Sequence, residues 1–155
     1  MGGSFMINYV KGDATSPRMA DGANVICHVT NDIGAWGAGF SGAVSRRWPE
    51  PEQAYRRSAR AGTLALGKAE FIQVSQRLYV ANMCAQHSIG RTNPPPIRYG
   101  ALEQCLEQAA SKAAGGALHM PRIGCGLAGG KWAKVEPIIE RATAGLCDVF
   151  VYDLK

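Results

Sequence analysis

His28 to Phe40 reads HVTNDIGAWGAGF, and the fold turns on what that stretch is. The apolar run ahead of it, ANVICHV, has the length and β-branched content of a buried strand. After it, GFSGAVSRRW opens a helical pattern that Pro49 ends. The chain therefore leaves its core through a polar corner, Asn31-Asp32, and places Gly34, Gly37 and Gly39 before a helix begins. Glycine lets backbone N–H groups approach a ligand with no Cβ in the way, and a helix N-terminus carries partial positive charge. Strand, glycine-rich loop and helix in that order suit phosphate.

The same design recurs later. ALHMPRI reads as a strand, RIGCGLAGGKW as a glycine-rich loop, and KWAKVEPIIERATAGL as a helix that Pro137 kinks or divides. Neither loop is a P-loop, because GCGLAGGK is followed by Trp132, and neither is a dinucleotide fingerprint. Taken alone, such loops read equally well as tight turns. Further strand patterns appear at MINYV, AEFIQVS, RLYVANMC and DVFVYDL, and further helical ones at PEQAYRRSARA and YGALEQCLEQAASKA. Strands alternating with helices predict one central, largely parallel or mixed sheet covered on both faces, with ligands bound beyond the carboxyl ends of its strands.

Composition sets the outer bounds. The 155 residues fit one domain, since domains cluster at about 100 to 150 residues. No apolar run approaches the ~18 residues of a membrane span, and the N-terminus lacks a secretory pattern; residues 1–5, MGGSF, are read as an expression remnant. Five widely spaced cysteines, Cys27, Cys84, Cys105, Cys125 and Cys147, read as reduced thiols of a cytoplasmic protein. The net charge of +5 suits an acidic ligand. Arg46, Arg47, Arg56, Arg57 and Arg60 lie together on helical segments, as a solvated face or, less economically, a nucleic-acid contact. His28, His87 and His119 lack metal-site spacing, and His28 and His119 fall in strands, where hydrogen-bonded core positions are expected.

Four motifs in order, KGDAT, HVTND…GAWGAGF, RYGALEQCLEQA and MPRIGCGLAGGKW, resemble the macrodomain family, modules that bind ADP-ribose. The resemblance spans nearly the whole chain and is closest to the branch of the terminal ADP-ribose protein glycohydrolases, in a bacterial subgroup. It implies a three-layer α/β/α fold around a mixed sheet. By the same resemblance Asp13 accepts from the adenine amino group and Ala14 meets the ring with its backbone. Asn31 faces the distal ribose. Gly37, Ala38, Gly39 and Phe40 form a first phosphate loop, and Ile123, Gly124, Cys125, Gly126 and Leu127 a second. Tyr152 packs on adenine, with ordinary core packing as its alternative.

The sequence departs from that branch at the two residues that carry its chemistry. Ala128 stands where the resemblance places an aspartate, and Pro96 where it places a lysine. The expected activity is therefore hydrolysis of mono-ADP-ribose esters on acidic side chains of proteins by another route, with Asn31 orienting the ribose and Asp32 or His87 assisting water. No cofactor or metal is expected. The alternatives are a non-catalytic reader of ADP-ribosylated protein, and a hydrolase of ADP-ribose on nucleic acid.

Overall fold

The computed structural model describes residues 7–154; the reading of residues 1–5, and of Met6 as a strand residue, falls outside them. Six strands, Ile7–Lys11 (β1), Asn24–Asn31 (β2), Ala69–Ser75 (β3), Leu78–Gln86 (β4), Ala117–Met120 (β5) and Asp148–Asp153 (β6), form one sheet of order β1-β6-β5-β2-β4-β3. Every neighbouring pair is parallel except β3 with β4, so the sheet is mixed. The helices are Phe40–Arg47 (α1), Glu50–Ala61 (α2), Tyr99–Lys112 (α3) and Trp132–Thr143 (α4).

The alternation of side chains along a strand sorts the core into two layers. Val25 and Cys27 of β2, Ala81, Met83 and Ala85 of β4, and Val149 and Val151 of β6 join Leu102, Leu106, Ile138 and Ile139 of α3 and α4. Ile26 and Val80 point the other way and join Val44 of α1, with Trp36, Phe40 and Trp48 against them. With helices on both faces, the fold is a three-layer α/β/α sandwich.

Each expected element is present, and its boundaries moved for local reasons. ALHMPRI yields a strand only to Met120, since Pro121 has no N–H for the ladder. The β2 and β4 strands run further than expected, to Asn31 and Gln86, with a register shift at Thr30/Asn31. Pro51 sits in the first turn of α2, and α4 runs without a break through Pro137. His28 and His119 are buried, as expected of core residues. Four cysteines are buried and Cys125 is half-buried, all as free thiols. No helix among the described residues is long and apolar enough to cross a membrane.

Candidate ligand-binding and active site

The five parallel strands end on one side of the sheet, and the loops that follow β2, β4 and β5 enclose a cleft of about 700 Å³ there. Its walls are the two glycine-rich segments. Asn31, Gly37, Ala38, Gly39 and Phe40 line one side, and Ile123, Gly124, Gly126 and Leu127 the other. The second loop is closed on itself by Gly130 N–H donating to Gly124 O at 2.7 Å, and Gly124 adopts φ +73°. Leu127 stands 83% exposed at the mouth, so it is available to a bound molecule rather than held by the core.

Asn31 lines the cleft with its amide already hydrogen-bonded within the protein. Its Oδ1 accepts from Ile33 N–H at 3.2 Å, Ala35 N–H at 3.1 Å and the Tyr55 hydroxyl at 2.8 Å, while its Nδ2 donates to Ala35 O at 2.6 Å. The side chain thus shapes the corner from which the first loop departs. Replacing it by alanine strips those partners inside a buried corner, and Asn31→Ala is expected to lose about 1–3 kcal/mol of stability. Urea unfolding checks this, and an unchanged midpoint would mean that the corner does not depend on the amide.

Asp32 and His87 form a dyad one residue beyond the lining positions Asn31 and Gln86. Nδ1 of His87 lies 2.6 Å from Asp32 Oδ2, and Ser88 N–H donates to Asp32 Oδ1 at 2.8 Å. Partial burial works to raise the Asp32 carboxyl, but the bonds from Ser88 and His87 outweigh it and hold the group below its usual value. The carboxylate therefore orients the ring and leaves Nε2 of the exposed His87 to solvent.

Four expected contacts, Asp13, Ala14, Cys125 and Tyr152, do not line this cleft. Asp13 is exposed outside the cleft lining, and its Oδ1 accepts from the N–H and hydroxyl of Thr15, both at 2.8 Å, as a turn residue does. Ala14 is buried beside it. Tyr152 is a core residue: its hydroxyl meets His119 Nδ1 at 2.8 Å and accepts from Arg18 N–H at 2.9 Å, and its ring flanks Gly12. Cys125 also lies off the lining. Pro96, read as the vacant lysine position, is buried, and its carbonyl accepts from His87 N–H. Ala128 does line the cleft.

Other lining residues were not expected at the site from the sequence. Gln86 reaches the site because β4 outlasts its apolar run. Arg91 and Arg122 bring positive charge, and Arg122 is fixed by a bidentate contact to Asp153 at 2.9 and 3.0 Å with its guanidinium over Tyr9 and Trp132. His28 and Ser41 are also on the wall, 3.0 Å apart. Only adjacency across the sheet brings such residues together, and spacing along the chain carries no trace of it. Among the described residues no group of acidic, cysteine and histidine side chains could hold a metal ion.

No protein-family profile matches the chain. The macrodomain protein of Streptomyces coelicolor is similar in structure, at 44% identity and a TM-score of 0.81 over 96% of this chain and 99% of that one. The mouse chromodomain-helicase-DNA-binding protein 1-like is 32% identical over 96% of the chain, which spans only 18% of that relative's length. An ADP-ribose 1''-phosphate phosphatase of Lodderomyces elongisporus is 24% identical, over 95% of the chain and 99% of that protein.

Proposed function

Because the chain belongs to the macrodomain family, we propose that its cleft binds ADP-ribose and hydrolyses the ester joining mono-ADP-ribose to acidic side chains of proteins. The observation that carries the binding is the pairing of two glycine-rich loops across one cleft at the carboxyl ends of parallel strands, with Arg91 and Arg122 on its walls. Backbone N–H groups of both loops and the start of α1 take the diphosphate. The ribose bearing the ester lies toward Asn31, Gln86 and the Asp32–His87 dyad.

An ester is an activated bond, so placement and a polarised water go far toward cleaving it. Nε2 of His87 accepts a proton as water attacks, Asp32 stabilises the imidazolium through Nδ1–H, and the same proton returns to the leaving oxygen. Water is thus split across the ester, giving a free carboxylic acid and ADP-ribose.

Gly39 and Gly126 test the binding directly. A Cβ added at either meets no atom of the protein within 4 Å, and neither residue has positive φ, yet both line the cleft. Gly39→Ala and Gly126→Ala are expected to keep the melting temperature while weakening ADP-ribose binding by roughly tenfold or more, the scale of forced overpacking at a tight contact. Calorimetric titration reads this, and unchanged affinity in both variants would remove the ligand from the loops. Release of free ADP-ribose from a glutamate-modified protein tests the hydrolysis.

A second reading is favoured by one observation. Among the described residues no carboxylate or lysine lines the cleft, and Ala128 takes the expected place of the aspartate. A reader of ADP-ribosylated protein would have this site, and would retain the modified target without releasing ADP-ribose.

A further inference from the structure

The wall formed by β2 and α1 contains a hydrogen-bond chain whose direction can be worked out from its buried end. Asn82 Nδ2 donates to the carbonyl of Pro51 at 3.0 Å. A carbonyl only accepts, so that end of the amide is the NH₂ group, and Oδ1 faces His28 Nε2 at 2.6 Å. Oδ1 has no proton to offer, so Nε2 carries the ring hydrogen. Burial keeps the imidazole neutral, with its conjugate acid pushed down to about 4, so Nδ1 presents a lone pair. The Ser41 hydroxyl, 3.0 Å from Nδ1, therefore spends its only proton on His28. Trp36 stands edge-on to the imidazole at 5.2 Å and Phe40 lies at 6.2 Å, which leaves the ring little room to turn over.

We propose that Ser41 is a positioning residue of the cleft, held by His28 and Asn82 as a hydrogen-bond acceptor that selects a hydroxyl donor, of the ligand or of a water, over an anionic oxygen. This rests on the reading of the cleft as an ADP-ribose site and deepens it. Around Ser41 the wall is built of the glycine-rich loop Gly37–Gly39 and the first turn of α1, whose N–H groups attract phosphate oxygens. Ser41 Oγ is the exception. A phosphate oxygen placed on it would meet a lone pair with no proton between them, whereas a ribose hydroxyl or a water supplies one. The chain thus divides one wall into an anion-accepting part and a hydroxyl-accepting point, which fixes the direction in which a sugar phosphate lies.

The first arm of the test reads the ring itself in the ligand-free protein. Long-range proton–nitrogen correlation spectra are expected to show His28 protonated at Nε2 and bare at Nδ1; the opposite tautomer overturns the proposal. The second arm titrates Ser41→Ala and Ser41→Thr with ADP-ribose and with ADP, and follows turnover on a glutamate-linked substrate. If the donor is a hydroxyl of the distal ribose, Ser41→Ala weakens ADP-ribose binding by about three- to tenfold and leaves ADP unchanged. If it is a water, affinities hold and turnover falls by a similar factor. In either case Ser41→Thr restores the wild-type value. Unchanged affinity and turnover, or a loss that Ser41→Thr fails to restore, overturns the proposal. Failure of the wild-type protein to bind ADP-ribose would instead defeat the functional reading, and the spectra would still decide which way the Ser41 hydroxyl points.

Discussion

Between pH 7 and pH 4 the protein is expected to lose on the order of 3 kcal/mol of stability for each of two histidines, enough together to unfold many domains. His28 and His119 are both buried, and burial lowers each from 6.5 to about 4 in the folded state. The unfolded chain takes up these protons at about 6.5 and the folded one only near 4, so the unfolded state binds more protons throughout that window. The contribution is intact above 6.5, falls as pH falls, and is exhausted below the folded value. His119 has no easy escape, because Nε2 donates to Asn24 Oδ1 at 2.8 Å and Nδ1 accepts from the Tyr152 hydroxyl. The lowered carboxyls of Asp32 and Glu52 start from 3.8 and 4.5 and act in more acid solution. Urea midpoints measured across the window read the slope, and His119→Gln should remove about half of it. A flat profile would mean that both rings titrate normally, and hence that water reaches them.

His87→Ala should lower the release of ADP-ribose from a glutamate-linked substrate by a factor of roughly 10² to 10⁴, the usual worth of a positioned acid–base group. Affinity for ADP-ribose itself should hardly change, because His87 is exposed and lies off the cleft lining. Asp32→Asn keeps the shape but removes the charge that steadies the imidazolium, so it should fall between the wild type and His87→Ala. Full turnover in His87→Ala would place the proton transfer on the substrate's own phosphate or another group. Retention of the modified protein by wild type with no release would identify a reader.

The fold was legible because its signals are local. Short β-branched runs, helical spacing in YGALEQCLEQAASK and glycine after an apolar segment each fix an element without reference to the rest. Both loops of the cleft could be placed for the same reason. What was not legible depends on pairing across the sheet. Asn31 reads as a sugar ligand from its place at a strand end, and the bond from Tyr55, two elements away, which joins the local bonds to Ile33 and Ala35 in shaping the corner, has no trace in that segment. Tyr152 reads as an adenine platform or a core residue, and the bond from its hydroxyl to His119, on the neighbouring strand, has no trace in the sequence around it. The Ser41–His28–Asn82 chain spans α1, β2 and β4, and nothing in any one of those segments announces it.

The strand order has a consequence for how the chain is made. Among the described residues β1 meets the rest of the sheet only through β6, which enters between β1 and β5. During synthesis β1 therefore waits until all the other elements of the fold have been made before it finds its partner, and such long closures are slow to form. Until β6 arrives, a nascent chain carries β1 as an unpaired strand and an open edge on β5, both templates for wrong pairing. The apolar side chains Val149 and Val151 of β6 then complete the sheet and the α3/α4 layer in one step, so a strand about 140 residues downstream is the one that brings β1 into the fold.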